Sequence, residues 1–142
     1  MDYRRFGSTI LARIDRGEEI MEQLEKLSLT EHITLAHINA LGAVSEMTVG
    51  VYSVEKGAYE KNTFTGDLEV VSLHGTITTK DGAYYPHLHM SAGDESGHVF
   101  GGHLNRAVVS GTCEMVITLL DGTVERKLDT EYGSGLNIFS FQ

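Results

Sequence analysis

Imidazoles are the groups in this sequence best placed to do chemistry. There are seven histidines: His32, His37, His74, His87, His89, His98 and His103. Four of them fall within Pro86 to Leu104, in the run PHLHMSAGDESGHVFGGHL. His87 and His89 are two residues apart. On a strand their side chains leave on one face, with Cα atoms roughly 6.5–7 Å apart. Imidazoles at that spacing can converge on one cation, while Leu88 and Met90 point to the opposite face. His103 follows Gly101-Gly102, where the backbone can bend or come close to another segment. A third imidazole can return there to the first two. Three neutral imidazoles form a known zinc first shell with a fourth position open. Imidazole also suits nickel, copper and iron, so ligand type alone does not fix the metal. The same pattern also fits ordinary polar histidines, solvated or hydrogen-bonded on a half-exposed strand.

The other candidates carry less. His98 sits in Glu95-Ser96-Gly97-His98, which reads as an exposed turn. His74 lies on a long strand, opposite in face to Glu69, Val71 and Leu73, as a satisfied strand histidine. His32 and His37 are distant in sequence from the cluster. Cys113 is the only cysteine, so it forms no intramolecular disulfide and reads as a small buried apolar residue. A catalytic ion would need a base or an orienting carboxylate. Glu69, Asp94 and Glu114 are the candidates, with Glu69 first, and sequence alone places none of them beside the histidines. No GxSxG, P-loop or GxGxxG is present, which leaves serine hydrolases and nucleotide binders without support.

The elements that must position these groups are mostly strands. One segment reads as helix: Gly17 as its cap, Glu18 and Glu19 at the positive end of its dipole, then Ile20, Met21, Leu24 and Leu27 at helical spacing. Strands are expected over 6–14, 33–43, 46–54, 58–64, 67–79, 84–91, 107–120, 123–128 and 136–141. Asp81-Gly82 and Asp121-Gly122 are both tight-turn signals, and the second predicts a hairpin between its flanking strands. Consecutive hairpins imply a mainly antiparallel sheet, and one early helix packed on it makes the class α+β.

Length and composition bound the rest. A chain of 142 residues with 41% hydrophobic and 22% charged residues suits one globular domain, residues 1–142. The net charge of −9 opposes direct binding to a phosphate backbone. No segment approaches the roughly 20 apolar residues of a membrane span, and no signal-peptide run begins the sequence, so no membrane contact is expected and the cytoplasm is the expected location.

The stretch from Leu68 to Leu104, with EVVSLHGTI, HLHMS and GHVFGGHL, resembles the PPC domain, the "plants and prokaryotes conserved" domain. The segments Arg13 to Glu19, Ala40 to Val44, Gly50-Val51-Tyr52 and Gly111 to Glu114 also fit its pattern, so the resemblance spans nearly the whole chain. It implies a strongly curved, mainly antiparallel sheet with one main helix packed on it, and a homotrimer with sites near subunit boundaries. It also implies a metal site on the matching motif histidines, His87, His89 and His103. Together with the spacing, this leads us to expect a divalent transition metal, zinc first, and a small-molecule ligand. Plant members place the domain after a basic AT-hook and associate with DNA. This chain has no AT-hook: Arg4-Arg5 is its only adjacent basic pair before Arg126-Lys127. It therefore resembles the prokaryotic single-domain branch, and the resemblance implies a site without naming a reaction.

Overall fold

Alternation of buried and exposed residues runs along most of the chain and builds a sheet. The structure is a computed structural model and describes residues 1–141. In chain order its elements are β1 (Asp2–Phe6), β2 (Thr9–Asp15), α1 (Ile20–Thr30), β3 (Ala36–Ser53), β4 (Ala58–Lys80), β5 (Ala83–Gly93), β6 (Val99–Leu119), β7 (Glu125–Leu128) and β8 (Asn137–Ser140). All eight strands belong to one sheet, ordered β1-β2-β6-β3-β4-β7-β8, with β5 lying between β4 and β6. Every pairing is antiparallel except a single parallel bridge, Thr79 to Glu125, between β4 and β7. The fold is a mostly antiparallel, strand-rich sheet with one short helix.

The long strands exceed the expected segments. The pieces predicted at 33–43 and 46–54 are one strand, β3, which bends through register shifts at Ala40/Gly42 and Val44/Glu46 rather than breaking. The pieces at 58–64 and 67–79 likewise merge into β4, and β6 starts at Val99 rather than Ala107. The predicted strand over 6–14 is instead a hairpin, turning at Gly7 with φ +61°. Bulges of this kind bend a strand without ending it, so turn residues inside a long strand are misleading punctuation.

Extra length lets β6 serve three partners. Its Thr112–Thr118 stretch pairs with β2 and, from Cys113 to Leu119, with β3. Its start, Val99 to His103, pairs with β5, while His103 to Val109 again meets β3. Since β3 pairs β4 and β4 pairs β5, the strands β3-β4-β5-β6 close on themselves. Met47, Val49, Leu73, Leu88, Met90 and Leu104 are buried, together with Ile20, Leu24 and Leu27 of the helix, which packs on β6 and β5.

Two terminal signals are corrected. Glu19, not Gly17, caps α1: it is buried, its Oε2 accepts from the Glu22 N–H at 2.8 Å, and its Oε1 accepts from the Ala107 N–H of β6 at 2.8 Å. The cap thus also ties the helix to the sheet. Gly17 instead makes the turn before it, at φ +85°. At Asp81-Gly82 both residues take positive φ, 53° and 75°, and close the β4–β5 hairpin as their type requires. At Asp121-Gly122 only Gly122 does, and no β6–β7 hairpin forms. The end of β6 already has β2 on one edge and β3 on the other, so no edge is left for β7. β7 pairs with β8 and touches β4 instead.

Two glycines permit the closure. A Cβ on Gly101 would lie 2.5 Å from the Met90 carbonyl oxygen of β5, and one on Gly102 would lie 2.6 Å from the Gly50 carbonyl oxygen of β3. Both obstacles are backbone and cannot rotate away. Gly102→Ala is expected to lower stability by about 1–3 kcal/mol, the range for forced overpacking, as read from the midpoint of urea unfolding.

Candidate metal centre

Cross-strand partners share a face, which carries the histidines to one place. His74 of β4 is opposite His89 of β5, and His89 is opposite His103 of β6. One row over, Thr76 is opposite His87. His87 and His89 leave β5 on the same side, as their spacing requires, while Leu88 and Met90 are buried on the other. Gly101-Gly102 lets β6 approach closely enough to deliver His103.

The three rings form a near-equilateral triangle. Centroids are 5.2 Å apart for His87–His89, 5.1 Å for His87–His103 and 5.6 Å for His89–His103. One ring nitrogen from each lies within 4.8 Å of the other two. Tetrahedral ligands at bonds of about 2.0–2.1 Å stand roughly 3.4 Å apart, so small ring rotations suffice to take an ion. Among the described residues this is the one group of three or more His, Cys, Asp or Glu side chains close enough to share an ion. His87 and His103 are partly buried and His89 is exposed. His103 is steadied by Tyr59, edge-on at 6.1 Å, whose hydroxyl donates to Asn105 Oδ1 at 2.9 Å.

Burial favours the neutral form of His87 and His103. Burial, followed by the charges of Arg126, His103 and His89, pushes His87 down to about 4. Burial and then His89 lower His103 below its ordinary value. A neutral imidazole has a free lone pair, the form a metal requires. The donor set is three nitrogens with no thiolate and no carboxylate, which fits a three-histidine ion with one open position.

The remaining candidates lie elsewhere. Glu69 is exposed and opposite Gly93, four residues along β5 from His89, which at about 3.3 Å per residue is on the order of 13 Å away. A register shift between Val70 and Ser72 changes the strand's phase. Glu69, Val71 and His74 are consequently all exposed, and only Leu73 is buried, contrary to simple alternation. His74 is the cross-strand neighbour of His89, with its Nδ1 3.2 Å from Ser72 Oγ, and its ring stays outside the triangle. Asp94 accepts from the Ser96 and His98 N–H groups and holds the His98 ring in the exposed turn. Glu114 is exposed on β6, opposite Arg13 and Leu41. His37 is exposed on β3, and His32 follows the helix at φ 55°. Cys113 is fully buried and burial pushes its thiol up to about 12, which makes it unreactive. Sequence reasoning missed Arg126, a buried arginine beside the cluster. A single arginine in the short strand ERKL offers no periodic signal that would have found it.

The strand-rich architecture and the histidine cluster define a class. Residues 1–121 match the family model of the Plants and Prokaryotes Conserved (PCC) domain. The chain belongs to this family, and residues 122–141 lie beyond the matched region. Among solved structures, a metal-containing protein from Archaeoglobus fulgidus is 34% identical over 99% of both chains, with a TM-score of 0.87. A plant- and prokaryote-conserved protein from Pyrococcus horikoshii is 33% identical over 99% of this chain and 94% of that one, with a TM-score of 0.82. A proposed DNA-binding protein from Bacteroides thetaiotaomicron is 28% identical over 99% and 96%, with a TM-score of 0.94. Comparison with curated proteins produced no match.

The depressed histidines set a pH dependence in the metal-free protein. Unfolded, His87 would take a proton near its ordinary value of 6.5; folded, it resists until about 4. As pH falls below 6.5 the unfolded state therefore binds more protons, and stability is lost until the folded pKa is passed. The thermal midpoint of the metal-free protein is expected to fall between pH 6.5 and 4, and His87→Gln should flatten that slope.

Proposed function

We propose that this protein is a homotrimeric metal-binding protein of the family, holding one divalent transition ion per chain on His87, His89 and His103 and binding or acting on a small molecule there. The observation that carries this reading is the convergence of three ring nitrogens within 4.8 Å of one another. Zinc is the metal the donor set suits first, since three imidazoles with an open fourth position are a known zinc shell. The description of the Archaeoglobus neighbour as metal-containing supports it. When bound, such an ion supplies Lewis acidity to an oxygen in the open position. The chain's own part is to keep His87 and His103 neutral by burial and to fix all three rings on paired strands.

The trimer is supported by an exposed groove of about 650 Å³ across β1, β2, β3 and β6, lined in part by Phe6, Leu11, Leu41 and Val116. These four side chains are exposed together, and contact with another subunit would cover them. Among the described residues no helix is long and apolar enough to cross a membrane. A cytoplasmic location is part of this proposal. A DNA-associated module is the alternative, favoured by the description of the Bacteroides neighbour and opposed by the net charge of −9.

Elemental analysis of purified protein is expected to find about one transition ion per chain, as a single three-imidazole site requires. The His87→Ala/His89→Ala double variant should lose it with its circular dichroism retained; full occupancy in that variant would refute the site. Light scattering should give a mass near three chains of 15.6 kDa, and a monomer would remove the trimer.

A further inference from the structure

Arg126 is an unusual buried cation. It is 7% exposed, and among the described residues no carboxylate forms a salt bridge with it. Its hydrogen bonds all go to neutral oxygens: Nε donates to Thr78 Oγ1 at 2.8 Å, Nη1 to the Asn137 carbonyl at 2.8 Å, and Nη2 to Thr76 Oγ1 at 3.4 Å. The guanidinium lies between two rings, 4.9 Å from the Tyr85 centroid and 4.5 Å from that of Phe139. A guanidinium has five N–H donors, so among the described residues one on each Nη has no acceptor.

Its place in the sheet is what gives this meaning. Thr78 is opposite Tyr85 and Thr76 is opposite His87, so these four side chains share one face with the guanidinium seated on them. The Nη2 arm ends on Thr76, whose Cβ stands about 4.5–5.5 Å from that of its partner, His87. The metal-loaded centre would then hold a dication on three neutral rings with a fixed cation in the neighbouring row. None of the converging side chains is an acid. Partly buried like charges at such range repel strongly unless an anion joins them.

We propose that the ligand of this site is a small organic carboxylate, bound between the ion and the Arg126 guanidinium. The inference rests on the metal reading above and names the ligand class for that site. The two spare donors, one on each arm of a planar fork, match the two oxygens of a carboxylate. A phosphate can take the same fork, but a planar carboxylate lies in the guanidinium plane, between the Tyr85 and Phe139 rings that flank it, and a tetrahedral phosphate does not. Arg126 lies beyond the family-matched residues 1–121, so this selectivity would come from the β7–β8 hairpin and not from the matched region.

The test uses the full chain loaded with cobalt, whose visible absorption responds to a change of ligand. Acetate, oxalate and inorganic phosphate are titrated in turn. The carboxylates should perturb the spectrum at lower concentration than phosphate. Arg126→Lys should retain one cobalt per chain and weaken carboxylate binding by roughly tenfold or more, the worth of a charge-assisted fork. Ile138→Ala, which loosens the hairpin at the residue paired with Lys127 and leaves both rings beside the guanidinium in place, should stay close to the parent protein. Unchanged carboxylate affinity in a cobalt-loaded Arg126→Lys protein overturns the proposal alone. So does tighter binding of phosphate, or an equal loss in Ile138→Ala, which would assign the effect to hairpin docking. Failure of the parent protein to take up cobalt overturns the metal reading and this proposal with it.

Discussion

Closure of the sheet through β6 is the constraint on which the site depends. A strand of 21 residues pairs at one end with β2 and β3 and at the other with β5. The histidine pair His89–His103 lies where β5 and β6 meet. The contact is possible only because Gly101 and Gly102 present no Cβ to the carbonyls of Met90 and Gly50. Hydrogen bonds fix register in steps of one residue, and a one-residue slip would turn His103 to the opposite face. The triangle of imidazoles is thus a product of backbone pairing rather than of flexible side chains.

Burial on the opposite face reinforces that register. Leu88, Met90 and Leu104 alternate with the histidines and are almost wholly withdrawn from solvent. Each fully buried aliphatic side chain contributes roughly 1.5–3 kcal/mol relative to exposure. The apolar residues choose which way the strands face, and the histidines are held on the remaining side, with His87 and His103 partly desolvated. The same burial that secures the fold depresses the pKa of His87 and His103, so stability and readiness for metal share one cause.

The C-terminal hairpin has a different relation to the sheet. β7 meets β4 through a single parallel bridge, and the contact is strengthened by Arg126 reaching Thr76 and Thr78 and stacking on Tyr85. Positive charge is thereby brought to the edge of the imidazole cluster by a segment outside the family match. The histidines of the family-matched region and an arginine from beyond it meet at one place.

Local pattern alone determined a good deal: the helix from its apolar spacing, the turn at Asp81-Gly82, and the common face of His87 and His89. These depend on neighbours within a few residues, where geometry is fixed by φ, ψ and side-chain period. Tertiary structure decided which strands merged, that β7 would not pair with β6, that a register shift near Val71 would bring Glu69 and His74 both outward, and that Arg126 would be buried beside His87. Those outcomes turn on which edge is free and on pairings between residues many positions apart. A single bulge or an occupied edge reverses them, and no short window of residues contains that information.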